Sequence, residues 1–326
     1  KKNCKSLWFM RQAGRYLPEF RKIRLKNKDF IELCLDSILS SEITLQPINR
    51  FDIDSAIIFS DILMVPYALG QKVKFIKDQG PQLSIFNLDK FLSNDKISFS
   101  QKLHPIYKAI EITRKKLDKK KSLIGFIGAP WTLLIYMLGA KLNKTDVNYD
   151  KIQSNEFEVN VILDKLNEYL CVHIENQVNA GADVIQIFDS WAGLLPKKDL
   201  ANYCIVPNLK IVEFCKNKKI PVICFPRGIK ENYKEFNSVV KPNGLNFDYE
   251  LDPNWAKQNL KNVVLQGGLD PKTLFLPEEK IKFNIKKYLS IFKDTPYVFN
   301  LGHGLLPETD PNKLDKLIKF YRNYNQ

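Results

Sequence analysis

Eight short apolar runs, separated by stretches of helical periodicity, constrain this chain more than any other feature. They are Leu7–Met10, Ala56–Phe59, Leu123–Ile127, Val184–Phe188, Val222–Phe225, Gly244–Phe247, Val263–Gln266 and Tyr297–Leu301. Most are continuous rather than alternating, which is how parallel strands buried on both faces read. Between the first two, Phe30–Pro47 sets Ile31, Leu35, Ile38, Leu39, Ile43 and Leu45 at helical spacing behind Asp29 as N-cap. Helices are also predicted over Ser100–Leu117, over Val159–Ala180 closed by Gly181, and over Leu200–Asn217, Glu278–Phe292 and Pro311–Tyr324. Strand–helix alternation at this length predicts an α/β fold, a (β/α)8 TIM barrel, with a doubly wound open sheet as the alternative. Lys72–Ile76 and Gln82–Phe86 flank Asp78-Gln79-Gly80-Pro81 and read as a small β-hairpin inserted after the second strand. No linker rich in Pro, Gly or Ser divides the chain, so residues 1–326 form a single domain in this reading.

Chemistry in such barrels gathers where the strands end. Those places hold Arg11 and Arg15, Ser60-Asp61, Gly128-Ala129-Pro130-Trp131, Asp189-Ser190-Trp191-Ala192-Gly193, Pro226-Arg227-Gly228, Asp248-Tyr249, Gly267-Gly268-Leu269-Asp270 and Gly302-His303-Gly304. A barrel would bring them to one rim. Each also has a plainer reading. Asp61 can cap the next helix and Asp189 the turn at Ser190, Tyr136 suits a core, a solitary histidine is more often structural, and the glycines suit turns.

Arginine is used sparingly: Arg11, Arg15, Arg21, Arg24, Arg50, Arg114, Arg227 and Arg322 are all there are, and lysine supplies the rest of the basic charge. Four of the eight lie between positions 11 and 24, which asks for something a guanidinium does and an ammonium does not, namely a bidentate grip on carboxylate or phosphate. A solvated basic turn is the alternative. The net charge of +14 favours anionic partners, or reflects lysine drift in a Lys- and Asn-rich chain.

The six cysteines form no CxxC pair and stop at Cys224, which argues for a reducing, cytoplasmic setting over a disulfide framework. His104, His173 and His303 are too scattered to suggest a metal cage. No apolar run approaches the length needed to span a bilayer, so no membrane is expected. No signal peptide is visible, and whether a segment precedes Lys1 stays open. No nucleic-acid-binding module or aromatic–basic interleaving is present, so no nucleic acid partner is expected.

Met10-Arg11-Gln12-Ala13-Gly14-Arg15-Tyr16-Leu17-Pro18-Glu19 resembles the N-terminal signature of the uroporphyrinogen decarboxylase family, and Gly125–Leu133 resembles its second signature. Ile57–Leu63, Phe188–Gly193 and Asn300–Gly304 resemble further blocks of that family in the same order, so the likeness runs from about residue 7 to the end. The chain departs from the family pattern in three places. Arg227 stands where Lys is common, Leu245-Asn246-Phe247-Asp248-Tyr249 where Gly-Leu-Asp-Trp is usual, and Gly268 where Asn is common.

The resemblance implies a cofactor-independent carboxy-lyase, expected to be a homodimer. It would convert the four acetates of uroporphyrinogen III, a tetrapyrrole polycarboxylate, to methyls, giving coproporphyrinogen III for heme synthesis. It also implies that Asp61 and Arg11 are catalytic, with Asp61 accepting pyrrole N–H bonds and balancing a cation. Arg11, Gln12, Ala13, Gly14, Arg15, Asp61, Tyr136, Ser190 and His303 would bind substrate, with no metal; Arg24 is a weaker candidate. The proton donor is left open between Arg11 and a water it holds. Zinc-dependent methyltransferases sharing the barrel are the competing reading; they need a Cys/His ligand set, and no Cys lies beyond Cys224.

Overall fold

A computed structural model describes residues 5–76, 80–143, 146–154 and 156–324. A curled, wholly parallel sheet of seven strands runs β1 (Ser55–Ile57), β4 (Ser122–Gly128), β5 (Val184–Asp189), β6 (Val222–Pro226), β7 (Gly244–Phe247), β8 (Val264–Gly267) and β9 (Tyr297–Val298), in that spatial order. The remaining two strands, β2 (Val73–Ile76) and β3 (Gly80–Leu83), pair antiparallel with each other, apart from the main sheet. Their register joins Val73 to Leu83 and Ile76 to Gly80, so the second arm starts two residues before the expected Gln82. Asp78 and Gln79 of the expected turn lie outside the described residues.

Burial agrees with the strand reading. A large apolar core fills the space between sheet and helices, and a small one lies inside the curl, built from Trp8, Met10, Ile57, Ile124 and Phe225. Beside it runs a buried polar chain. Trp8 Nε1 donates to Gln266 Oε1 (3.0 Å), and Gln266 Nε2 donates to Gln186 Oε1 (3.1 Å) and Asn246 Oδ1 (2.8 Å).

Where expectation and structure differ, local hydrogen bonding explains it. Leu7–Met10 is no ladder strand. It makes one parallel bridge, Leu7 to Phe299, with backbone bonds from Trp8 N to Phe299 O (3.3 Å) and from Asp54 N to Leu7 O (2.9 Å). Its other amides go to side chains: Leu7 N to Asp54 Oδ2, Phe9 N to Gln12 Oε1 and Met10 N to Asn300 Oδ1. The helix expected over Phe30–Pro47 is two, Phe30–Leu35 and Ser37–Arg50. Asp36 ends the first with extended backbone and caps the second by accepting from Ile38 N and Leu39 N. Asp95 caps another helix, which therefore starts at Lys96, ahead of the expected Ser100. The helix expected from Leu200 opens as a π turn, Ala201–Ile205, before regular Val206–Asn217. Pro207 has no N–H for the carbonyl of Tyr203, so the ladder slips there.

Candidate active site

The strand ends gather the chemistry. At β1 the ladder stops early because the helix Ser37–Arg50 takes over the backbone of Phe59. Phe59 N donates to Thr44 Oγ1 (2.8 Å), and Ser40 Oγ donates to Phe59 O (2.6 Å). That fixes the exit of Ser60 and Asp61. Asp61 Oδ1 accepts from Leu63 N (2.9 Å), so the carboxylate does cap the turn after it, but this engages one oxygen only. Burial pushes its pKa from the ordinary 3.8 up to about 6, against the opposing pull of that amide and of the Arg11 guanidinium.

Arg11 sits at the end of the Leu7–Met10 segment in the left-handed region (φ 61°), a strained conformation for a residue with a Cβ. The turn is braced by Leu305 N donating to Met10 O (2.9 Å). The side chain is open to solvent and yet densely surrounded by protein, as expected for a group lining a concave mouth. Burial lowers its pKa and Asp61 raises it, with Tyr136, Arg15 and Arg227 also in electrostatic reach. It is laid across Gly304: a Cβ built there would stand 2.3 Å from Arg11 Cδ and 2.6 Å from Cγ. Gly304→Ala is therefore expected to push Arg11 aside, cutting turnover about tenfold or more while the melting temperature stays within about 2 °C. A crystal structure of the variant with Arg11 unmoved, or full activity, would refute this link.

Gln12 serves the frame. Its side chain is buried, accepting from Phe9 N (3.1 Å) and donating to Ser55 O (2.9 Å), which ties the arginine segment to β1. Among the described residues the amide N–H groups of Ala13, Gly14 and Arg15 have no hydrogen-bond partner, so this turn offers backbone donors to a ligand. Arg24 is turned away, donating to the carbonyls of Asn27 and Lys28.

Opposite, the helix Pro130–Met137 starts at the end of β4 and carries Tyr136. Tyr136 meets Trp191 edge to face at 6.0 Å, and burial raises its hydroxyl pKa to about 12. The β5 loop is fixed beneath. Thr132 Oγ1 donates to Asp189 Oδ1 (2.6 Å) and accepts from Trp191 N (3.2 Å), while Asn208 Nδ2 reaches Asp189 Oδ2 (3.3 Å). Asp189 thus joins two helices to the turn that presents half-buried Ser190, a role the sequence did not signal. Lys141 was missed as well. Its Nζ lies 5.6 Å from the Tyr136 ring centroid and 5.2 Å from that of Trp191, but one lysine among many gave no signal.

His303 lies just past β9. Its Nδ1 is buried and, among the described residues, lacks a hydrogen-bond partner. Burial, with the Arg11 and Arg227 charges, drives its pKa down to about 3, so the ring is neutral at physiological pH. Asp248 is committed to the frame, accepting from Gly228 N, Tyr233 Oη and Glu250 N. Two of the sequence departures are one packing event: a Cβ on Gly268 would stand 2.1 Å from the Phe247 ring.

A cavity of about 10 Å³ behind Asp61, walled by Ser60, Phe126, His173 and Gln177, has room for one water. A cavity of about 610 Å³ lies at the far end of the sheet between Phe51-Asp52 and the helix Pro311–Tyr324. Its cations are already paired, Arg50 with Glu19, Lys319 with Asp315, and Arg322 with Asp52 and Asp54, so the rim is the better candidate site.

The family model described as uroporphyrinogen decarboxylase (URO-D) matches residues 5–324. A uroporphyrinogen decarboxylase of Orientia tsutsugamushi (strain Ikeda) is 42% identical over 335 residues, covering 99% of this chain and 96% of its own. One of Rickettsia bellii is 40% identical over 326 residues, covering 99% and 96%. Among solved structures, a methyltransferase from Methanosarcina mazei superposes with a TM-score of 0.73 at 16% identity, covering 94% of this chain and 91% of that one. A putative vitamin-B12 independent methionine synthase from Listeria monocytogenes gives a TM-score of 0.56 at 11% identity, covering 98% and 96%. At such identities these two speak to the fold alone.

Proposed function

Because this chain belongs to the uroporphyrinogen decarboxylase family, and is a carboxy-lyase acting on uroporphyrinogen in tetrapyrrole biosynthesis, we propose that the rim around Asp61 and Arg11 is where the acetates lose CO₂. The observation that carries this is a single desolvated carboxylate, Asp61, facing the guanidinium of Arg11, which in turn has Arg15 within electrostatic reach. A pyrrole bearing an acetate can serve as its own electron sink, so the scheme calls for no cofactor. Protonation of the ring carbon next to the acetate-bearing position gives an iminium-like cation. The carboxylate leaves as CO₂ and its bonding pair neutralises the ring. A second protonation, on the exocyclic methylene, and loss of the first proton restore the pyrrole with a methyl group. Each acetate anion thus consumes one proton net, and uroporphyrinogen III becomes coproporphyrinogen III after four rounds.

In this scheme Asp61 accepts pyrrole N–H bonds at the macrocycle centre and balances the cation in a site shielded from water, where a fixed charge acts most strongly. Arg11, Arg15 and the free amides of Ala13 and Gly14 hold carboxylates. Tyr136 and Ser190 offer hydroxyls, and neutral His303 offers a ring N–H. Proton delivery falls to Arg11 or to a water it holds, and either places the donor at the same point of the mouth.

We read Leu7–Met10 as the eighth stave of a (β/α)8 barrel, supported by its bonds to Phe299 and Asp54, and β2–β3 as an inserted hairpin. We also read the protein as a cytoplasmic homodimer, in keeping with its family and with the five free cysteines of the described residues. No helix among the described residues is long and apolar enough to cross a membrane. Sedimentation at micromolar concentration checks the dimer; a monomer at all concentrations refutes it.

The deciding assay is anaerobic incubation with uroporphyrinogen III. After oxidation, porphyrins with seven, six, five and four carboxylates should appear in turn; recovery of the octacarboxylate alone defeats the proposal. The pH profile is a second check. Asp61 must be ionised to balance the cation, so kcat/KM is expected to fall below a midpoint near pH 6, which reports the free enzyme. A midpoint near 4 would mean that Asp61 is not the titrating group. His303, neutral above about pH 3, should not contribute, so His303→Gln keeps the same acid limb.

A further inference from the structure

The eight arginines divide sharply by what they touch. Arg21 donates to the carbonyls of Arg15 and Tyr16, and Arg24 to those of Asn27 and Lys28. Arg50 grips Glu19 with two nitrogens (2.8 and 3.0 Å), Arg114 pairs with Asp183 (3.0 Å), and Arg322 pairs with Asp52 and Asp54. Arg11, Arg15 and Arg227 are left, and among the described residues none of their guanidiniums has an acceptor. Arg11 and Arg15 are already placed at the mouth. Arg227, from a strand on its other side, is the third.

Arg227 comes directly after β6 and its backbone is held at both ends, N donating to Asp189 O (3.1 Å) and O accepting from Gly193 N (2.8 Å). That pins it to the loop carrying Ser190 and Trp191. The side chain is half-buried and within electrostatic reach of both Arg11 and His303. Asp248, the nearest strand-end acid in sequence, is occupied by Gly228 N, Tyr233 Oη and Glu250 N and leaves Arg227 unpaired. Asp61 is the one carboxylate among the groups in electrostatic contact with Arg11, so the guanidiniums of Arg11, Arg15 and Arg227 outnumber it. Converging cations without anions are held apart from their best energy until an anionic ligand arrives.

We infer that Arg227 is a third carboxylate-binding residue, taking an acetate or propionate of the tetrapyrrole on the His303 side of the mouth. This rests on the decarboxylase reading of the site. A macrocycle centred on Asp61 presents carboxylates around its whole edge, and Arg11 and Arg15 cover one arc only. Arg227 covers a second, so that the ring is held in plane while one acetate reacts.

The test uses the full chain with Arg227→Gln and Arg227→Lys, thermal melts confirming that both fold. Uroporphyrin, the unreactive octacarboxylate, serves as the equilibrium probe by fluorescence, and steady-state KM and kcat are measured with uroporphyrinogen III. The expected result for Arg227→Gln is a loss of about tenfold in uroporphyrin affinity and a comparable rise in KM. Its kcat should change far less, and Arg227→Lys should recover part of the affinity by charge alone. A structural role would move the melt instead of this split. Wild-type KM and affinity in a folded Arg227→Gln protein, alongside an impaired Arg11→Lys, overturn the assignment of Arg227 and leave the decarboxylase reading standing. Failure of the unaltered protein to decarboxylate overturns the reading on which both rest.

Discussion

Asp61→Asn is expected to lower kcat/KM for uroporphyrinogen III by roughly 10²–10³-fold while the protein stays folded. Asn keeps the size of the side chain and an oxygen for the Leu63 amide, but it cannot balance a cation forming in a shielded site. The same substitution should make the protein slightly more stable at pH 7, by about 1–2 °C in Tm. The sign is set by the direction of the shift. Folding raises the Asp61 pKa from 3.8 to about 6, so the folded state binds the proton more tightly than the unfolded one. The group's contribution is therefore most favourable below pH 4 and is lost as pH climbs to 6. At neutral pH the fold carries a desolvated charge, and Asn relieves it. Lost activity with unchanged or higher Tm marks a residue held at a cost for chemistry. Normal turnover in the folded variant would end the assignment.

Arg11→Lys is expected to be almost as damaging, roughly 10- to 100-fold in kcat/KM, despite its retained charge. A carboxylate held by two parallel N–H groups loses about 1.5–3 kcal/mol of charge-assisted bonding when the fork is removed. Arg11 must also stay extended across Gly304 to face Asp61, and an ammonium on a flexible stem has no such preference. The effect should appear in kcat as well as KM, because this guanidinium acts on Asp61, the group proposed to balance the cation. Loss confined to KM would reduce Arg11 to a binding residue, and near-normal kinetics would show that fork geometry is irrelevant.

The rim was legible because buried parallel strands are written as continuous apolar runs, and the residues just past each run must sit at a strand end. That logic located Asp61, Ser190, Arg227 and His303 without knowledge of their contacts. It failed where long-range partners decide. Leu7–Met10 has a strand's composition, but its amides are claimed by the side chains of Asp54, Gln12 and Asn300. Asp36 looked like one polar position in a long amphipathic helix, yet its short side chain competes for the next amides and ends one helix to begin another. Asp189 read as a local cap because its true partners, Thr132 and Asn208, lie 57 and 19 residues away. Gln12 belongs to a ligand-like motif, and only the hydrogen bonds reveal that its side chain braces the frame.

The docking of the first described residues has a consequence for biosynthesis. Met10 N bonds Asn300, Lys5 Nζ bonds Thr295 O, and Tyr321 Oη bonds Lys5 O, contacts spanning 290, 290 and 316 positions. Loops of that size close slowly and late. The arginine turn is made well before the strand Tyr297–Val298 and the helix Pro311–Tyr324, and it finds its seat only after both have been made. A nascent chain therefore carries the β1 exit long before Arg11 faces Asp61, and the arginine turn gains its seat only after Thr295, Asn300 and Tyr321 have emerged.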